Sequence, residues 1–190
     1  MLDCAPESNI LYPGSAAELE RPSVANAEEA VVALFDELRT PLLRYLVAFP
    51  LGIADAEDVV QESFLALYKH LHGGKMPHNP RGWIFRAAHN VALKRQVRSR
   101  KDSKTAGTVA GIETAVDPAP NPEDRFSLNQ TQQRILAVVR ALPQQSRWCL
   151  YLRGEGLRYR EIAEILGVSL GAVSLRLARS LALIGRAARR

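Results

Sequence analysis

The chain has 190 residues, 47% of them hydrophobic and 24% charged, with a formal net charge of +5; that is apolar material for one or two small cores, and it excludes disorder throughout or a collagenous repeat. Its two cysteines, Cys4 and Cys149, stand 145 positions apart with no Cys/His pairs at ligand spacing, so neither a disulfide framework nor a structural zinc site is expected, and no metal or cofactor is implied. No apolar run approaches the roughly 20 residues of a membrane span, and Asp3 and Glu7 stand where a signal peptide would carry Lys or Arg, so the expectation is a cytoplasmic protein without membrane insertion.

The small net charge is the remainder of large opposing blocks. Residues 1–62 hold 12 acids against 3 bases, and residues 63–101 hold 9 Lys or Arg, all four histidines and no acid. Residues 102–139 are slightly acidic, whereas 140–190 hold 10 Arg against 3 acids. Two basic segments flanked by acidic ones suggest two polyanion-binding surfaces beside surfaces meant for another partner. Solvated helical faces remain the alternative on charge alone.

In chain order, residues 1–26 mix prolines with small and acidic residues without a period and read as a loosely ordered extension. From Ala27 the apolar spacing of Val31, Leu34, Phe35, Leu38, Leu42 and Leu46 predicts an amphipathic helix interrupted or kinked near Pro41. A second helix is predicted from Asp55, taken as its cap, to about Leu71, with Val60, Phe64, Leu67 and Leu71 on one stripe. The loop His72 to Asn79 follows, and Asn79-Pro80 opens a third helix to roughly Arg98. Residues 99–127 have linker composition; as a coil they span about 30 Å. Leu128 to Ala141 and Gln144 to Arg153 are predicted helical, separated by Leu142-Pro143. The fold class is therefore all-α: a helical domain over 27–98, a flexible linker over 99–127 and a second domain over 128–190.

The most specific stretch is Tyr159 to Arg176. Ala163 is small where two helices of a helix-turn-helix touch, Gly167 suits a turn that favours positive φ, and Ile162, Leu166, Val168 and Val173 lock the pair. Ser169 would cap the second helix, whose outward Ser174, Arg176 and Arg179 would face a major groove. A plain helical hairpin is the competing reading.

The run Ala56-Glu57-Asp58-Val59-Val60-Gln61-Glu62-Ser63-Phe64-Leu65-Ala66-Leu67-Tyr68 resembles the polymerase-binding helix of bacterial sigma factors, most closely the extracytoplasmic-function (ECF) subfamily. Asn79 to Asn90 resembles the promoter-melting helix, Pro120 to Asp124 the linker end, and Leu142 through Arg179 the DNA-binding module, all in family order. The resemblance covers about Leu34 to Arg186 and implies a protein that joins core RNA polymerase, through the largest-subunit coiled coil and the flap, recognises minus-10 and minus-35 elements, and answers to an anti-sigma factor. It implies no reaction chemistry, and the sequence lacks a phosphate-binding Gly loop or nucleophile motif.

By residue, the resemblance implies that Asp58, Gln61 and Glu62, on one helix face, dock on polymerase. The loop with His72, Lys75 and His78 would capture a flipped base. Trp83 and Ile84 share a stripe with Ala87 and Val91 and read as core, leaving Arg86, Asn90, Lys94, Arg95 and Arg98 for DNA, with the histidines as loop and helix donors. The C-terminal DNA-binding set is Tyr159, Arg160, Ser169, Gly171, Ser174, Arg176 and Arg179. Two positions depart from the family: Lys94 stands where an acid is common, and the run after Val173 reads Ser174-Leu175-Arg176 in place of basic-Ser-Arg. A sigma mimic that sequesters an anti-sigma factor and a stand-alone DNA-binding regulator are the rival functions.

Overall fold

The computed structural model describes residues 24–105 and 130–189, and the regular elements among them are all helices. The extension over residues 1–23 and the linker residues 106–129 lie outside the described residues. Helix α1 (Val24–Leu46) runs through Pro41 without interruption. The hydrogen bond that proline forfeits is outweighed by burial of Leu42, Tyr45 and Leu46 beyond it.

Helix α2 (Ile53–His72) starts before Asp55; Gly52 is the cap, with no side-chain bond, and Ala56 N–H donates to the Gly52 carbonyl. Asp55 is thus a first-turn acid near the positive helix end rather than the expected cap. Val59, Val60, Phe64, Leu67 and Leu71 are buried against α1 and helix α3 (Pro80–Thr105). The α3 cap is as expected: Asn79 Oδ1 accepts from Gly82 N–H at 2.9 Å. A Cβ on residue 82 would come within 2.7 Å of Asn79 Nδ2, so the glycine keeps room for this cap. Helix α3 continues past Arg98 to Thr105, because no Gly or Pro interrupts it before Gly107.

Beyond the linker, α4 (Gln130–Ala141), α5 (Gln144–Gly154), α6 (Tyr159–Leu166) and α7 (Leu170–Ala188) form the second unit. Helix α7 packs on the other three. Its Val173 and Leu177 are buried, as are Leu152, Leu157, Ile162 and Ile165 around them. No single helix among the described residues is long and apolar enough to cross a membrane, and no group of three His, Cys, Asp or Glu side chains is placed to hold a metal ion.

The two units pack together, α3 on α6 and α1 on α5, although the linker composition alone would have let them drift apart. Trp148 of α5 is 9% exposed. Its ring stacks on Phe49 at 5.1 Å and meets His89 edge-on at 4.8 Å. An indole of that size left in water would forfeit its burial, so it closes the seam. Polar contacts rim it: Arg44 donates twice to the Glu155 carboxylate, each at 2.7 Å, Arg81 donates to the Glu155 carbonyl at 2.6 Å, and Asn79 Nδ2 donates to Glu161 at 2.6 Å. The hydrogen bonds that Arg44 donates to Glu155 raise the Arg44 pKa.

His89 departs from its expected role as a surface donor. It is buried, its Nδ1 lies 2.6 Å from the Tyr45 hydroxyl, and burial lowers its pKa to about 4. The imidazole is therefore neutral at pH 7, while burial raises the Tyr45 pKa well above its ordinary value and keeps that hydroxyl protonated.

Candidate nucleic-acid and partner interface

Asp58, Gln61 and Glu62 are all exposed on one face of α2. Helix geometry puts residues three and four apart side by side, and the buried Val59, Val60 and Ser63 between them anchor the opposite face. The acids are not bare. Arg95 of α3 reaches across to Asp55 at 3.5 Å, Asp58 at 3.3 Å and Glu62 at 3.4 Å. Burial opposes the Arg95 charge, but the bonds to Asp58 and Glu62 outweigh it and raise its pKa. An arginine expected on DNA is thereby joined to the acids expected on polymerase, a pairing that no local pattern announces.

His72, expected in the loop, is the last residue of α2, and the loop that follows carries Lys75 and His78 around Gly74 at φ 73°; all three side chains are exposed. His72 meets the Tyr68 ring at 5.8 Å. At the far end of the loop, Asn79 caps α3 and bonds Glu161 of α6. Arg86, Asn90, Lys94 and Arg98 are exposed along α3, spaced so that they share one face. Trp83, expected in the core, is only half-buried and stacks on His70 at 5.2 Å; it closes the edge of the first unit.

In the second unit, the α6–α7 pair forms the expected helix-turn-helix, crossing at 108°. Gly167 adopts the left-handed region, φ 64° and ψ 37°, which an L side chain rarely takes. Ser169 Oγ accepts from Ala172 N–H at 3.2 Å and caps α7. Glu161 closes the start of α6 by accepting from Arg158 N–H at 2.6 Å. Tyr159 and Arg160 are exposed at that start, with Arg153 over the Tyr159 ring at 5.7 Å. Gly171, Ser174 and Arg179 face outward on α7.

Arg176 departs from the expectation of a groove-facing side chain. It is half-buried and donates to Gln145 Oε1 on α5, and its Nη1 is buried without a hydrogen-bond partner. Its position on the side of α7 that packs on α5 explains the turn inward, and its charge partly offsets the burial that raises the Cys149 pKa. Sequence reasoning missed Arg44, Phe49, Trp148 and Glu155 as seam residues. The one local signal was the apolar run Trp148 to Leu152 in a helix that is polar at both ends.

Three helices bearing an acidic face and a basic face, followed by a capped helix-turn-helix, define a two-unit helical DNA-binding protein. Family models place it further: the sigma-70 region 2 model matches residues 34–102, and the sigma-70 region 4 model residues 132–184. The probable RNA polymerase sigma factor RfaY of Xanthomonas campestris pv. campestris is 28% identical over 166 residues, 85% of this chain, and the chain spans only 41% of that relative's length. The ECF RNA polymerase sigma-E factor of Salmonella typhimurium is 30% identical over 134 residues, covering 66% of this chain and 70% of the relative. The sigma factor RpoE of Bartonella quintana, solved with the anti-sigma factor NepR, shares the fold at a TM-score of 0.65 and 21% identity, over 85% of this chain and 98% of that one. The chain belongs to the ECF RNA polymerase sigma factors.

Proposed function

We propose that this protein is a cytoplasmic transcription initiation factor that joins core RNA polymerase, opens promoter DNA at a minus-10 element through the first unit and binds a minus-35 element through the second. It has no reaction chemistry of its own. The observation that carries the reading is the match of regions 2 and 4, in order, to two helical units, the first bearing an acidic face on α2 beside a basic face on α3 and the second predominantly basic, surfaces suited to different partners.

On this reading Asp58, Gln61 and Glu62 dock on a basic helical surface of the largest subunit, displacing Arg95 from acids that are more than half exposed and hold it only weakly. The freed Arg95 then joins Arg86, Asn90, Lys94 and Arg98 against the opened strand, while the loop with His72, Lys75 and His78 receives a flipped base. Partners of the relatives make an anti-sigma factor the natural regulator, since RpoE is seen bound to NepR.

Run-off transcription with purified core polymerase tests the proposal. The full chain should direct initiation from a subset of promoters, and Asp58→Arg with Glu62→Arg should abolish holoenzyme assembly while leaving the helical circular dichroism signal. Anti-sigma binding without transcription would assign the chain as a sigma mimic, and duplex binding without polymerase as a stand-alone regulator.

A further inference from the structure

The outward side of helix α7 has an unusual composition for a helix that enters a DNA groove. With Arg176 turned back onto Gln145, its first two turns present Leu170, Gly171, Ser174, Leu175 and Ala178, and no cation appears until Arg179. Leu170 and Leu175 are each 51% exposed. Rows at i and i+4 set Leu170, Ser174 and Ala178 along one line and Gly171, Leu175 and Arg179 along the next. Such an apolar surface is held in water only at a cost, and no other helix among the described residues covers Leu170 and Leu175.

Charge selects the occupant. Helix α7 carries no acid, and Arg179 and Arg186 continue the outward side beyond the C-terminal end of the apolar surface, with Arg158 and Arg160 exposed at the start of the neighbouring α6. A rim of arginines around a narrow apolar strip matches a phosphate-walled groove with methyl groups on its floor. In the major groove, guanine is read chiefly by arginine or lysine, whereas an aliphatic side chain is complementary to the thymine 5-methyl group. Glycine at 171 and alanine at 178 let the helix backbone approach closely enough for an isobutyl group to reach that floor.

We infer that α7 reads its element through thymine methyl groups, with Leu175 as the specificity-determining residue, Leu170 supporting it, and Arg179 holding phosphate. This rests on the reading of α6–α7 as the duplex-binding unit and names what that unit recognises. Ser174 supplies a hydroxyl that is compatible with any base edge. Arginine–guanine pairing does not set the preference in the first two turns.

The full chain, alone and assembled on core polymerase, is used to select from a randomised duplex library, and the enriched duplex is resynthesised with deoxyuridine at each thymidine in turn. Loss of the decisive methyl should weaken binding about fourfold, the equivalent of about 0.8 kcal/mol for one buried methyl-sized group. In Leu175→Ala that penalty should vanish, so the two changes are not additive; the residue is exposed, and the variant should fold. The inference is overturned if every deoxyuridine duplex binds as its parent does, or if Leu175→Ala keeps the full penalty. It is equally overturned if Leu175→Ala alters self-association in sedimentation without altering duplex binding, which would make the strip a protein-docking surface. An enriched duplex with no methyl penalty leaves the duplex-binding reading standing; no enrichment in either arm overturns both.

Discussion

Lowering the pH from 7.5 to 5 should cost the folded chain about 2 kcal/mol through His89 alone. The ring is buried among Tyr45, Phe49 and Trp148, and its pKa is lowered from 6.5 to about 4 by that burial. In the unfolded chain the same imidazole titrates near 6.5. Below that pH the unfolded chain takes up a proton that the folded chain refuses, so stability falls between about pH 6.5 and pH 4 and is insensitive to this group outside that window. At pH 5 the unfolded form is favoured by about 1.5 pH units, each worth about 1.36 kcal/mol; the complete gap amounts to about 3 kcal/mol. Urea unfolding at pH 7.5, 6 and 5 reads this directly, as a midpoint lowered by about 1 M. In His89→Gln the midpoint at pH 7.5 should be lower, but its further drop toward pH 5 should be smaller than wild type by the amount assigned to His89. Equal pH slopes for the two proteins, or an NMR titration of His89 centred near 6.5 in the folded chain, would refute the reasoning.

Further substitutions test local features. Gly167→Ala should destabilise the second unit by about 1–2 kcal/mol by chemical denaturation, a purely backbone cost because no atom lies within 4 Å of the added Cβ; Gly171→Ala, in open space inside a helix, should instead stabilise by about 0.5–1 kcal/mol. Ser169→Ala removes the α7 cap and should cost about 1 kcal/mol, with Ser169→Asp restoring most of it. Arg179→Ala should reduce the slope of log affinity against log salt for duplex DNA by about 0.9, whereas Arg176→Ala should leave that slope unchanged and lower the thermal midpoint, since Arg176 faces Gln145.

What the chain disclosed before its structure was local. Asn79 and Ser169 were legible as caps and Gly167 as a turn because each role depends on residues within four positions, and the stripes of α2 follow from periodicity alone. The acid face at Asp58, Gln61 and Glu62 was legible for the same reason. Roles that depend on residues far apart in the chain were not. Glu155 looks like a solvated turn acid until Arg44, 111 positions earlier, is brought against it. His89 reads as a surface donor in a basic helix until Phe49 and Trp148 close around it from two different units. Arg95 has the same composition cues as Lys94, yet one more step around the helix turns it toward α2 and its acids. Arg176 and Arg179 differ likewise: three positions separate a half-buried guanidinium turned onto Gln145 from an exposed one.

The seam between the units is of a kind that can part. Its polar rim is mixed, since Arg44 is exposed while the Glu155 side chain it binds is only 9% exposed, and two polar groups within or beside it, Trp148 Nε1 and Gln96 Nε2, are buried without a hydrogen-bond partner, which costs the closed form. The apolar part of the attraction comes from the Phe49, His89 and Trp148 rings. Under the sigma-factor reading it has to open. Elements centred near minus-10 and minus-35 lie about 25 base pairs apart, or about 85 Å at roughly 3.4 Å per pair, whereas here Asn79 at the end of the α2–α3 loop and Glu161 of the helix-turn-helix are 2.6 Å apart. The 24 residues between Thr105 and Gln130 reach only about 27 Å as a coil but about 80 Å when extended. On the function proposed above, a promoter engaged at both elements would draw that tether out and expose the Trp148 face, so the closed packing and a bound promoter would exclude one another, and anything that holds Trp148 against Phe49 would oppose initiation.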